Sequence, residues 1–272
     1  MKITEFPEVN ELQDANVFLI DGPNGTKVIK GENLPYALMD IAGVEMHRML
    51  FRGKNLGSTV SSEQKAAIQN GTFKDLWLGD YWKINDIVWR IVDFDRFYGF
   101  GDTPCNTHHV VIMPDTTLYS AAMNTSNTTD GGYLGSNMYT SGLSNAKTII
   151  NRAFGSSVLT YRDYFTNAVS NSRPTAGAYT NAKIELPNEC MILGHNHMAA
   201  MNTGIALATI QTVANTQLAL FMVAPKYIGA GSTYWLRDVA NSERFVFSDA
   251  SGMTNYGSAS VSRGVRPVFA IC

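Results

Sequence analysis

Apolar residues in the last third of this chain come in short bursts. CMILG, LALFMVA, TYWLR, RFVFS and GVRPVFAI are each too brief for a long helix, and each is followed by a polar loop, so each reads as a strand. Upstream, YWKI and IVWRIVDFD flank Asn85-Asp86, a pair suited to the positive φ angles of a tight hairpin, and HHVVIMP adds another strand. Two helices are predicted in mid-chain. LSNAKTIINRAFG puts Leu143, Ala146, Ile149, Ile150, Ala153 and Phe154 on one stripe, with Gly155 to close it, and YRDYFTNAV is read as the second. Strands before and after a central helical block predict an α+β fold with mainly antiparallel sheet.

Within the later hairpin strand, Ile87, Trp89 and Ile91 alternate with Val88, Arg90 and Val92, so both faces are expected to be covered. At 272 residues the chain can bury an ample core without disulfides. Only 16% of residues are charged, and 21 basic against 23 acidic residues leave a net charge of −2, which speaks against a nucleic-acid partner. Gly, Ser, Thr and Asn fill the gap, as in turn-rich β structure with polar loops. No signal peptide is predicted from MKITEFPEVNELQD, and no run is long and apolar enough for membrane insertion, so synthesis in a cytoplasm is expected.

Near the N-terminus, Val17 to Ile20 and Thr26 to Ile29 flank the turn residues GPNGT, and Asn33 can cap a short helix through Ala37 and Leu38. A hairpin and one helix bury too little alone, so this small segment must pack on something else. Further on, SSEQKAAIQNG has Ser61 and Gln64 at capping-box positions and Gly71 past its end.

Catalytic chemistry finds little support. Cys105, Cys190 and Cys272 are odd in number and form no C-x-x-C pair, so free thiols are expected. His195 and His197 have the spacing of metal ligands on a strand, but GHNHM reads as loop; adjacent His108 and His109 would point to opposite faces. No metal or other cofactor is expected. Asp93 and Asp95 share a strand face and are read as ion-pair partners for nearby arginines such as Arg90 and Arg96. Trp77, Trp82, Trp89 and Trp235 are read as core.

Trp235 and Arg237 in YWLRD, and Arg266 in GVRPVFAI, stand at the two ends of a stretch crowded with Ser, Asn, Thr and Gly. A buried guanidinium demands carboxylate or carbonyl partners, so the arginines are expected to fix the ends while the middle is left free. Together with GDYWKINDIVWRIVDFD, these motifs resemble a C-type-lectin-like family of bacteriophage structural proteins and gut-bacterial surface proteins. That family is similar in plan to the formylglycine-generating-enzyme branch of the fold and to the variable proteins of diversity-generating retroelements. The resemblance covers roughly Leu76 to Cys272, and it implies a ligand-binding domain over 76–272 after a connecting helix region over 46–75. The cysteines do not follow the active-site pattern of the enzyme branch, so no oxidase activity is carried over and no enzyme is expected.

What the resemblance implies for the site is a display of Asn241, Ser242, Glu243, Arg244, Met253, Asn255, Tyr256, Ser258, Ser260 and Arg263 on a framework of Trp235, Arg237, Gly264 and Arg266. Tyr256, Asn255, Met253 and Arg263 are expected to cluster on one surface. LQDANVFLIDGPNGTKVIKGENL is similar to the attachment segments of phage tail and fibre proteins, which implies an oligomerising segment over 1–45, with a trimer favoured. The implied protein is a virion component that meets a host-surface protein or glycan at one end and other virion proteins at the other. The alternative is a purely structural or capsid-decorating role.

Overall fold

The computed structural model describes residues 17–20, 27–30, 46–166, 169–170, 173–174, 177–200 and 216–272, and the chain divides into two units, Met1–Met46 and His47–Cys272. In the first, β1 (Val17–Ile20) pairs antiparallel with β2 (Lys27–Lys30), placing Val17 opposite Lys30. The helix expected after Asn33 lies outside the described residues.

The larger unit opens with α1 (Ser62–Gln69), whose start is capped reciprocally: Ser61 Oγ accepts the Gln64 N–H and the Gln64 side chain accepts that of Ser61. Residues 47–75 belong to this unit, and Arg52 bridges Asp75 and Asp80, each at 2.6 Å. β3 (Tyr81–Ile84) and β4 (Ile87–Phe94) meet through Asn85 and Asp86, both at positive φ (53° and 61°), the turn whose twist suits a hairpin. β4 is buried on both faces over most of its length. β5 (Val110–Pro114) and β6 (Tyr119–Ala122) follow, then α2 (Ser144–Phe154), ended by Gly155 at φ 57°.

β7 (Tyr161–Thr166), β8 (Val169–Ser170), β9 (Arg173–Pro174), β10 (Gly177–Ala182) and β11 (Ile184–Glu185) come next, then the short helices α3 (Glu189–Leu193) and α4 (Ala219–Val223). The chain closes with β12 (Tyr234–Asn241), β13 (Arg244–Ser248), β14 (Thr254–Ser258), β15 (Ser262–Val265) and β16 (Val268–Ile271). Two five-stranded sheets result, in the orders β11-β16-β5-β4-β3 and β14-β13-β12-β15-β6. Among the described strands every pairing is antiparallel except that of β12 with β15. The fold is therefore α+β and mostly antiparallel. Phe154 of α2 meets the rings of Trp82, Trp89 and Phe269, which seats that helix on the first sheet.

Three segments depart from the sequence expectation. YRDYFTNAV is not a helix: its first six residues form β7, paired with β10. Tyr161, Asp163 and Phe165 are buried while Arg162 and Tyr164 are half-buried, so the period is two, and the charged residue on the inner face hid it. CMILG falls in α3, with Asn188 capping the Met191 N–H and Gly194 closing at φ 83°. LALFMVA contains α4, which stops before Pro225. Brief apolar runs carry no usable period, and flanking caps decided both cases.

Candidate functional site

The framework is built where the chain changes sheets. β15 belongs to the second sheet and β16 to the first, with Arg266 and Pro267 between them; Pro267 has no N–H with which to continue a ladder. Arg266, 2% exposed, satisfies its guanidinium entirely with carbonyls: Nε donates to Pro114 O at 2.8 Å, Nη1 to Ile228 O at 2.7 Å and Nη2 to Tyr227 O at 2.9 Å. Pro114 ends β5 just before the chain crosses to β6, so one side chain holds both crossings. Beside it Gly264 has no space for a side chain, since a methyl would collide with Thr117 and sit 2.8 Å from Thr233 O.

On β12, Trp235 is fully buried and donates its indole N–H to Ala121 O at 3.0 Å. Arg237 is buried against the Phe165 ring and pairs with Asp163 on β7 at 2.8 Å. All four framework residues thus lie inside the second sheet or at its seam with the first.

Between these fixed ends, β13 and β14 form the outer part of the second sheet, with β14 at its edge. Met253 is 57% and Tyr256 41% exposed, and Ser242, Glu243, Asn255 and Ser260 are exposed as well. Asn241, Arg244, Ser258 and Arg263 are half-buried. Several make local bonds: Asn241 Oδ1 accepts the Glu243 N–H, and Ser260 Oγ donates to Asn127 Oδ1 at 2.6 Å.

These residues do not all share one surface. Register pairs Phe247 with Asn255, Val246 with Tyr256 and Arg244 with Ser258. The pleat therefore sends Tyr256, Arg244 and Ser258 to one face and Asn255 to the other. Arg244 lies over the Tyr256 ring at 5.3 Å, whereas Arg263 lies over Phe247, on the side of Asn255. The expected single cluster of Tyr256, Asn255, Met253 and Arg263 is thus divided by strand geometry, its two parts meeting at the sheet edge.

A buried polar network beneath this framework went unforeseen. Tyr133 Oη donates to Glu185 Oε2 at 2.9 Å and accepts the Leu186 N–H at 3.0 Å. Burial pushes the Glu185 carboxyl up to about 7, and Asp238, next to Arg237, likewise to about 7. Asp238 accepts the Glu189 N–H at 2.6 Å, and the Glu189 carboxylate in turn accepts the N–H groups of His197, Met198 and Ala199. The available sequence clue was KIELPNEC, two glutamates set among apolar residues and turn formers.

The remaining candidates are occupied elsewhere. Asp93 pairs with Arg96 at 3.1 Å, Asp95 with His108 at 2.6 Å, and Arg90 with Asp115. His109 is buried, receives the Phe97 N–H and is held below the ordinary histidine value by burial. His195 and His197 are exposed, and no cluster of metal-ligating residues occurs among the described residues. The cysteines are free, and burial pushes the Cys190 thiol up to about 12, far from the thiolate a nucleophile requires. An open groove of about 470 Å³ runs past Cys105, Thr107, Tyr161 and Arg162, but Arg162 is already paired with Asp102. No helix among the described residues is long and apolar enough to cross a membrane. Compared with protein-family models, with curated proteins and with solved structures, the chain shows no significant match.

Proposed function

We propose that this chain is a non-enzymatic binding protein: a phage virion component of tail or fibre-tip type, whose C-type-lectin-like domain offers the β13–β14 edge and the adjoining Arg263 to a host-surface ligand. One observation carries this reading. The stretch is held at both ends by buried, engaged arginines, while the residues between them put Met253, Asn255 and Tyr256 into solvent. Tyr, Asn and Ser supply flat contact area and adaptable hydrogen bonds at low entropy cost, the combination used by antibody paratopes. Exposed positions of this kind also tolerate replacement, each change usually shifting stability by only ~0.5 kcal/mol.

The test replaces Met253, Asn255, Tyr256 and Arg263 together with alanine. Labelled protein is then followed by flow cytometry on a panel of bacterial cells and by thermal melting. The variant is expected to stay folded and to lose cell binding, since aromatic and Arg side chains can each be worth ~2 kcal/mol at an interface. A folded variant that binds as before would move the recognition surface elsewhere and favour the purely structural role; an unfolded one would make the segment core.

The β1–β2 hairpin fits attachment and self-association, since two short strands do not make a stable unit alone. Light scattering is expected to report an oligomer, a trimer by preference, for the full chain and a monomer for a chain starting at Met46. Two monomers at micromolar concentration would overturn the attachment role.

A further inference from the structure

Arg263 carries a charge that the described chain leaves unopposed. Its guanidinium carbon lies 3.6 Å from the centre of the Phe247 ring and 5.1 Å from that of Trp235. Gly257 presents bare backbone beneath it, where a Cβ would stand 2.6 Å from Nη2. Nε is buried with no acceptor, while the side chain as a whole is half-buried, and no protein acceptor for either Nη occurs among the described residues. Arg52, Arg90, Arg96, Arg162 and Arg237 each hold a carboxylate, but among the described residues none pairs with Arg263. Burial alone acts on its ionisation, pulling it below the ordinary arginine value.

A guanidinium stacked on aromatic rings has its plane fixed and its N–H edge turned outward. That arrangement is preorganised for a carboxylate taken by both Nη atoms. A partly desolvated cation without an internal acceptor also gains more from such a ligand than a fully hydrated lysine would. We propose that Arg263 anchors a carboxylate of the ligand recognised by this surface, and that the carboxylate belongs to an acidic sugar; the proposal rests on the binding role argued above. Its surroundings select the sugar. Asn255, on the same face, is a neutral hydrogen-bonding group suited to hydroxyls, and no carboxylate or second cation pairs with Arg263 among the described residues. An acidic peptide or a polyphosphate would call for several cations, and Arg244 is committed to Tyr256 on the opposite face.

The test is a titration of the 15N-labelled full chain, reading the Nε–Hε resonance of Arg263 while sodium glucuronate, glucose, sodium glutamate or inorganic phosphate is added at constant ionic strength. Glucuronate is expected to give a saturable shift in the millimolar range, as suits a single sugar, with no saturable shift from glucose. R263K, which keeps the charge but not the bidentate edge and is followed through the backbone amide resonances of Asn255 and Gly257, is expected to weaken binding about tenfold with an unchanged melting curve. R152Q, at an exposed position on α2 outside this surface, is expected to leave it intact.

No saturable shift with glucuronate, or an equal response to glucose, would overturn the proposal. Equal affinity for glutamate or phosphate would also overturn it, leaving an adventitious ion only. Cell binding separates this failure from that of the parent reading. If R263K binds cells normally while the fourfold variant does not, the surface stands and the carboxylate anchor falls; if both bind normally, the surface itself is wrong.

Discussion

Arg266→Ala is expected to destabilise the protein by about 3–5 kcal/mol. The side chain donates three charge-assisted hydrogen bonds to carbonyls, and its loss leaves that of Pro114 in the interior and that of Tyr227 at a part-buried position without that donor. Ile228 O fares better, because it also accepts from Tyr234 Oη at 2.9 Å. Desolvation of the lone cation works in the opposite direction, but each hydrogen bond to a charged group contributes about 1.5–3 kcal/mol, so three of them outweigh it. The vacated volume between Tyr234 and Phe221 adds a cavity cost. A midpoint about 10 °C lower is expected in a thermal melt. Arg266→Lys should fall between, since one ammonium cannot reach three carbonyls spread around a planar fork. An unchanged melting temperature for the alanine variant would show that Arg266 does not hold the two sheet crossings together.

Much of the scaffold was legible because its signals are local. Asn85-Asp86 fixes a hairpin through φ angles that few residue pairs accept, and the Ser61/Gln64 pair declares a helix start by itself. Arg237 and Arg266 were readable for another reason: a guanidinium inside an apolar run must find partners, although the sequence could not say that one would find Asp163 and the other only carbonyls. What failed was whatever depends on distant segments. β7 reads as a helix from the sequence because the reason for Asp163 on its buried face, Arg237, lies 74 positions away. The sequence reads the display residues as unneeded by the core. Their division between two faces, however, is set by the register of β14 against β13, and a list of polar residues does not contain it.

Stability should also depend on pH in a way set by Glu185. Its carboxyl, 3% exposed, is raised from an unfolded value of 4.5 to about 7 by burial, against the hydrogen bond from Tyr133 and the charge of Arg237, both of which favour ionisation. Because the folded state holds this proton more tightly, the contribution is fully present below pH 4.5 and is lost as pH rises through about 7. At 1.36 kcal/mol per unit, the loss is about 3 kcal/mol between those limits. Glu185→Gln should remove that dependence. The glutamine oxygen can still accept from Tyr133, and its amide occupies the position of the protonated carboxyl oxygen without ever ionising. Urea unfolding at pH 4.5, 6 and 8 is the measurement, and taking the difference between the two proteins cancels the titration of every other carboxylate. Near pH 4.5 the two should be about equally stable, and at pH 8 the variant should be the more stable by about 3 kcal/mol. A difference that does not change with pH would mean that Glu185 ionises as readily in the fold as outside it. The network would then be an ordinary hydrogen-bonded carboxylate site rather than one that holds a proton at neutral pH.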